Sequence, residues 1–299
     1  MSTQVLKWAQ CDVFAEARYA GNPLAIFTDG TGLTTEQMQA LARETNLSET
    51  TFILPVSAEE EARDGVRVRI FTVEEELPFA GHPTLGTASW IRLNLPHFGA
   101  ADEVKLQLNV GTIPVQFQAV DADARTTRAE MRQRDPEFGG VVDREALARA
   151  CGLQPEDLHA MLHPQVVSMG LPFCILPLAS VEALERLQID PRATKSVLEA
   201  KGGRFVYAFA QVNATTWRAR MPFNGVDDPA TGSAAGCAIS YLVQHHVVAS
   251  NAAITIHQGL EVHRPSHLEV RASQIDDRVT DVFVGGSTIF VATGTFTHP

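Results

Sequence analysis

Twice along this chain an extended stretch passes through a turn of Gly, Pro and polar residues straight into a helix start made of Ala, Gly, Ser and Thr. That doubling constrains the fold more than any other feature. The later copy is Asp227-Asp228-Pro229-Ala230-Thr231-Gly232-Ser233-Ala234-Ala235-Gly236-Cys237. Pro229 fixes one backbone angle, Gly232 permits close approach, and N–H groups at the start of a helix over 235–243 point at any carboxylate or phosphate. The earlier copy is Pro78-Phe79-Ala80-Gly81-His82-Pro83-Thr84-Leu85-Gly86-Thr87-Ala88-Ser89-Trp90. Laying Gly81-His82-Pro83-Thr84 over Ala230-Thr231-Gly232-Ser233 brings polar side chains to corresponding places, with an apolar helix behind each. Small residues at one helix start would serve close packing alone. Two such starts predict two similar halves facing a cleft that holds one small anionic ligand.

The 299 residues suffice for two ordinary domains, and 45% hydrophobic with 20% charged residues is the balance of a globular protein. A net charge of −11 without a basic cluster argues against nucleic-acid binding, which needs Lys and Arg to displace counterions. The first residues lack a basic stretch followed by an apolar one, so no secretory signal is expected, and no apolar run is long enough to span a bilayer. Cys11, Cys151, Cys174 and Cys237 are scattered without metal-ligand spacing. They read as small buried apolar residues of a cytoplasmic protein.

The pattern along the chain predicts strands at 4–14, 24–27, 50–55 and 66–71, with a helix from about Thr35. Thr34 is its expected N-cap with Gln37 as capping-box partner, Leu33 and Met38 form a staple, Met38, Leu41 and Ala42 make the buried stripe, and Asn46 is the stop. A helix over 84–93 precedes a hairpin of 104–108 with 113–117 through Asn109-Val110-Gly111. The acidic run Glu59-Glu60-Glu61-Ala62-Arg63-Asp64 reads as a solvated turn or loop. Asp121-Ala122-Asp123-Ala124-Arg125 reads as a hinge or hairpin tip. Beyond it, helices are expected at 144–151, 155–161 and 235–246. Strands are expected at 165–168, 173–177, 204–211, 216–221, 253–257, 268–272, 279–284 and 288–296. Strands mixed with one long apolar helix per half give an α+β class.

Several familiar sites are excluded. Residues 81–86 have the glycine spacing of a phosphate loop without its Lys and Ser/Thr, and Gly30-Thr31-Gly32 lacks the third glycine of a dinucleotide fingerprint. Ser233 lies one residue too early for a nucleophile elbow. Adjacent His245 and His246 would point about 100° apart on a helix and cannot share a metal. Glu49 follows a helix end and precedes an apolar strand, a place from which a side chain can enter a cleft. A carboxylate in a partly apolar pocket can take up and return a proton, although a solvated loop glutamate fits the position as well.

Ordered along nearly the whole chain stand Gly21-Asn22-Pro23, Leu47-Ser48-Glu49-Thr50, Phe71-Thr72, 76–86, 228–236, Gln258-Gly259 and Arg264-Pro265-Ser266. By these motifs the chain resembles the PhzF-like proteins of phenazine biosynthesis. The resemblance implies a diaminopimelate-epimerase-like fold. Two pseudo-symmetric domains, 1–122 completed by a strand near 287–299 and 123–286, would each wrap a curved, mostly antiparallel sheet around a central helix. It implies a homodimer, no cofactor, and an isomerase that moves a proton on a small carboxylate-bearing metabolite.

By position, the resemblance makes Glu49 the acid/base with His82 and Asp228 as catalytic partners. Ser48, Gly81, Pro83, Thr84, Gly232, Ser233 and Ala234 become substrate-binding. Related racemases use two facing cysteines; the matching positions here are read as Ala80 and Pro229, which disfavours a two-thiol mechanism. Val226-Asp227 stands where Ile-Glu is commoner, and Val262-His263 replaces the usual Met-Gly. A metabolite-binding protein that kept the cleft without turnover, and a structural scaffold, are the rival readings.

Overall fold

The computed structural model describes residues 4–99, 101–118, 126–223 and 225–298. By contacts the chain forms two units, Met1–Met131 with Gly285–Pro299, and Arg132–Val284. The expected hinge at 121–125 lies outside the described residues.

The first unit contains, in order, β1 (Gln4–Val13), β2 (Asn22–Phe27), α1 (Thr35–Thr45), β3 (Glu49–Leu54), α2 (Ala58–Asp64), β4 (Val66–Phe71), β5 (Glu76–Leu77), α3 (Gly81–Asn94), β6 (Glu103–Leu108), β7 (Gly111–Phe117) and β8 (Thr126–Arg132). Its sheet runs β1-β2-β3-β4-β6-β7-β8. The C-terminal strand adds to it, pairing with β1 from Gln4↔His298 to Val13↔Thr288. Helix α3 packs against β1, β2, β3, β6 and β7. Small residues permit that approach: a Cβ on Gly86 would come within 2.6 Å of Leu24, 2.9 Å of Val13 and 3.0 Å of Cys11. Leu85 and Ile91 are buried in the same helix, contributing roughly 1.5–3 kcal/mol each.

Helix α1 is built as its sequence dictates. The Thr34 hydroxyl accepts from Gln37 N while Thr34 N donates to the Gln37 side chain, and Asn46 ends the helix at φ 51°. Its buried Met38, Leu41 and Ala42 meet Phe27, Phe52 and Phe71, with Phe27 and Phe52 stacked at 4.9 Å. The acidic run is helical rather than a loop: Ser57 caps α2 by accepting from Glu60 N, and three glutamates in the first turn complement the helix dipole.

The second unit contains β9 (Glu137–Val141), α4 (Arg144–Ala150), β10 (Gln165–Ser168), β11 (Pro172–Pro177), α5 (Val181–Glu185), α6 (Pro191–Glu199), β12 (Phe205–Gln211), β13 (Thr216–Arg220), β14 (Pro222–Phe223), β15 (Val226–Asp227), α7 (Gly232–Gln244), β16 (Ile254–Gln258) and β17 (Ser266–Ile275). It also holds the start of β18 (Arg278–His298), which passes into the first unit after Val284. The order is β18-β17-β16-β13-β12-β11-β10-β9. Parallel β11 and β12 are buried on both faces, hence their unbroken apolar runs. Cys174, Leu176, Val206, Ala208 and Ala210 join the cluster of α4, α5 and α6. On β12 the intervening Phe209 meets Tyr241 of α7, which also packs on β10, β11 and β17.

The α+β class with one central helix per unit is therefore the observed one. Within the units β2–β3, β4–β6, β11–β12 and β13–β16 pair in parallel, whereas β1–β2, β3–β4, β6–β7, β7–β8, β9–β10, β10–β11, β12–β13 and β16–β17 pair antiparallel. Of the helix expected at 155–161 only the 3-10 turn Pro155–Asp157 forms, because Leu158 turns extended and bridges Leu178. The strands expected at 279–284 and 288–296 are one. All four cysteines are buried thiols, and burial raises Cys151 to about 12.

Gly86 and Gly236, each inside its helix, separate packing from propensity. Ala exceeds Gly by about 1 kcal/mol in a helix interior. At Gly86 that gain is outweighed by collision with the β-branched Val13 and buried Leu24, whereas a Cβ at Gly236 meets the mobile ends of Gln133 and Met169. Urea unfolding is expected to show Gly86→Ala destabilised by about 1–3 kcal/mol, and Gly236→Ala within about 1 kcal/mol of wild type. Equal effects would refute this account of α3.

Candidate functional site

Glu49 opens β3 directly after the Asn46 cap and pairs with Leu24 of the parallel β2. Its carboxylate therefore emerges at the end of the strand pair where Asn22 and Pro23 enter β2. Helix α3 starts at Gly81, and its second residue brings the His82 Nε2 atom to 3.4 Å from Glu49 Oε2. The ring is 5% exposed and the Glu49 side chain 17%. Burial pushes His82 down to about 3, against a smaller opposing effect from its hydrogen bond to the Pro23 backbone. Among the described residues Nε2 has no hydrogen-bond partner, which assigns the bond to Nδ1 with the Pro23 carbonyl as acceptor. At neutral pH the ring is uncharged and presents the Nε2 lone pair toward Glu49.

The other expected residues of this unit are placed differently. Gly81, Pro83 and Thr84 are buried in the first turn of α3. The Thr84 hydroxyl donates to Ala80 O at 2.7 Å, and Thr84 N donates to the same carbonyl. Pro83 has no N–H, which leaves Gly81 and His82 as the first-turn donors without an intrahelical acceptor. Ser48 is exposed beside Glu49.

In the second unit Asp227 and Asp228 part company. Asp227 is buried and accepts from Arg220 Nε at 2.7 Å. Asp228, half-buried, accepts from the Thr231 hydroxyl at 2.6 Å. Helix α7 begins at Gly232 behind the N-cap Thr231, and Ala235 N donates to Thr231 O. Gly232, half-buried Ser233 and Ala234 supply the first-turn N–H groups. Because α3 and α7 begin at Gly81 and Gly232, the position corresponding to Ala80 is Thr231 and not Pro229. The overlay of the two turns shifts by two residues, and neither Ala80 nor Thr231 is a cysteine.

Sequence reasoning assigned no role to Pro23, Thr231 or Gln258. Their signal was present in Gly21-Asn22-Pro23 and Gln258-Gly259, but the partners of a backbone carbonyl and a buried amide follow only from the fold.

The family model "Phenazine biosynthesis-like protein" matches residues 11–294. The chain belongs to the PhzF family. It is 35% identical over 294 residues to the trans-2,3-dihydro-3-hydroxyanthranilate isomerase of Pseudomonas aeruginosa, covering 96% of this chain and 98% of that one. Its structure superposes on that of a predicted epimerase from Pseudomonas aeruginosa with a TM-score of 0.81 and 34% identity, over 97% and 99% of the chains. The PhzF-family phenazine biosynthesis protein of Bacillus anthracis shares the fold, with a TM-score of 0.84 and 23% identity over 98% and 99%. The chain is accordingly a PhzF-family isomerase.

Burial of a neutral histidine makes stability depend on pH. The unfolded chain binds a proton at His82 below about pH 6.5, while the folded chain holds the ring neutral down to about 3. This contribution is level above pH 6.5 and lost on acidification through that window, by at most about 1.4 kcal/mol per pH unit. In urea titrations of wild type and His82→Gln, the stability difference in favour of wild type is expected to shrink from pH 6.5 to 4. A pH-independent difference would show that the ring is charged in the folded state.

Proposed function

We propose that this PhzF-family isomerase moves a proton on a small carboxylate-bearing metabolite by acid/base catalysis at Glu49, without a cofactor. The observation that carries the reading is the pairing of Glu49 with a buried, neutral His82. A cation at 3.4 Å would weaken the carboxylate as a base, and an uncharged ring does not. Glu49 in its anionic form takes a proton from an activated carbon, the electron pair moves through the adjoining unsaturated system, and the same carboxyl returns the proton to another carbon. Atoms and charge balance without any further reactant. His82, through its Nε2 lone pair, orients the Glu49 carboxyl proton between the two transfers.

Charge on the substrate carboxylate is met by backbone donors. The resemblance assigns these donors to Gly81 and His82 and to Gly232, Ser233 and Ala234, all at helix starts. Asp228 and the Ser233 hydroxyl hydrogen-bond the polar substituents of the substrate. The relative from Pseudomonas aeruginosa names trans-2,3-dihydro-3-hydroxyanthranilate as the first compound to try.

Incubation of that compound in D2O, followed by proton NMR and mass analysis, is expected to give an isomer carrying deuterium with wild type. Glu49→Gln keeps the size of the side chain and deletes the basic site. Its turnover is expected to fall at least about 100-fold, the usual contribution of a general acid/base. Near-normal turnover by folded Glu49→Gln would remove Glu49 from the mechanism.

A further inference from the structure

The turn that carries Asp228 is held by one buried amide. Gln258, 1% exposed at the end of β16, uses its full hydrogen-bonding capacity there. Oε1 accepts from Tyr207 Oη and from Thr231 N, both at 3.2 Å. Nε2 donates to Asp228 O at 2.8 Å and to Thr231 Oγ1 at 2.9 Å. The backbone partners settle the orientation of the amide, because Thr231 N–H can only donate and the Asp228 carbonyl can only accept.

A direction follows for the Thr231 hydroxyl. Its oxygen accepts from Gln258 Nε2, so its proton is left for Asp228 Oδ2 at 2.6 Å. The next residue reinforces the arrangement. Gly259 has φ 79°, and a Cβ there would meet Pro229 O at 2.6 Å and collide with the Arg264 carbonyl. The Gln258-Gly259 backbone thus lies directly against Pro229 of the Asp228 turn. The buried Tyr207, its phenol pushed up by burial and by the Asp228 charge, remains a donor throughout.

We propose that Gln258 is the positioning residue of Asp228: its amide sets the direction in which Thr231 donates, and thereby holds the Asp228 carboxylate in one orientation for the substrate. The proposal rests on the assignment of Asp228 to the site. Gln258 acts through Thr231 and is not itself a catalytic residue.

Two substitutions probe the relay with little change of shape. Gln258→Glu keeps the acceptor and deletes both donors, which redirects the Thr231 hydroxyl toward the introduced carboxylate. Thr231→Val removes the hydroxyl and keeps the backbone N–H. With trans-2,3-dihydro-3-hydroxyanthranilate as probe, each is expected to lower kcat by about 10- to 100-fold, as misplacement of a group that orients the substrate does, with KM within about threefold. The kcat of Gln258→Glu relative to wild type is expected to recover as pH falls, because the protonated carboxyl regains one donor. Neither substitution is expected to lower turnover further in an Asp228→Asn background. Multiplying effects there, or equal losses at every pH, would make Gln258 a purely structural residue and overturn the proposal.

A second readout needs no turnover. In protein labelled with 13C at the aspartate carboxyl carbon, the Asp228 resonance, assigned by its loss in Asp228→Asn, is expected to move in both Gln258→Glu and Thr231→Val. An unmoved resonance in folded protein overturns the coupling, whether or not the probe compound is a substrate. Wild type that neither turns over nor exchanges the probe, with the resonance moved as expected, would count against the proposed reaction and leave the positioning role supported.

Discussion

The close approach of α3 to β1 and β2 is the constraint on which the first unit depends. Gly86 leaves no room for a side chain between the helix and Cys11, Val13 and Leu24. That contact fixes the depth of the helix, and the helix start one turn earlier carries His82 down to the level at which β2 and β3 begin. Parallel pairing of Leu24 with Glu49 puts the Pro23 carbonyl and the Glu49 carboxylate at the same end of adjacent strands. The ring then meets both, Nδ1 on the carbonyl and Nε2 toward the carboxylate. Packing by small residues and the placement of His82 beside Glu49 are one arrangement here. The alternative reading of a small-residue helix, as packing alone, describes its cause and not its whole effect.

The second unit solves a similar problem with side chains. Thr231 caps α7 in position but spends its hydroxyl on Asp228, not on the helix N–H groups. Those groups remain directed outward from the first turn. The task of holding the turn falls to Gln258 and to the close contact at Gly259. Asp227, one residue earlier, is withdrawn into an ion pair with Arg220, whose guanidinium also donates to the carbonyls of Leu184, Glu185 and Leu187. Adjacent acids are thereby separated into one that anchors the chain and one at the turn.

Local rules made much of this fold legible. Thr34, Gln37 and Asn46 gave the limits of α1 because capping is decided within a few residues. The doubled turn gave the two central helices because small residues at a helix start are visible without knowledge of what they touch. Elements decided by distant partners were less legible. Thr127, Ala129 and Met131 of β8 carry a weak alternation that only the pairing with β7 makes a strand. The segment after Pro155 has a helix start in sequence but is captured by Leu178. Glu49 and His82 were named from position and resemblance. Their mutual distance, and the ring's neutrality, arise from burial that a linear pattern does not contain.

Neutrality of His82 costs stability in acid and keeps a cation away from the Glu49 carboxylate. An exposed histidine would titrate near pH 6.5 and place a cation against Glu49 over part of the physiological range. Burial removes that state, and the Pro23 carbonyl selects the tautomer. The lone pair on Nε2 is thus directed toward Glu49 from neutral pH down to about 3. Substituting the carbonyl's role by a side chain would add rotamers to the acceptor that fixes the ring tautomer. A proline at the start of β2 avoids this, since its φ is fixed and its carbonyl belongs to the sheet.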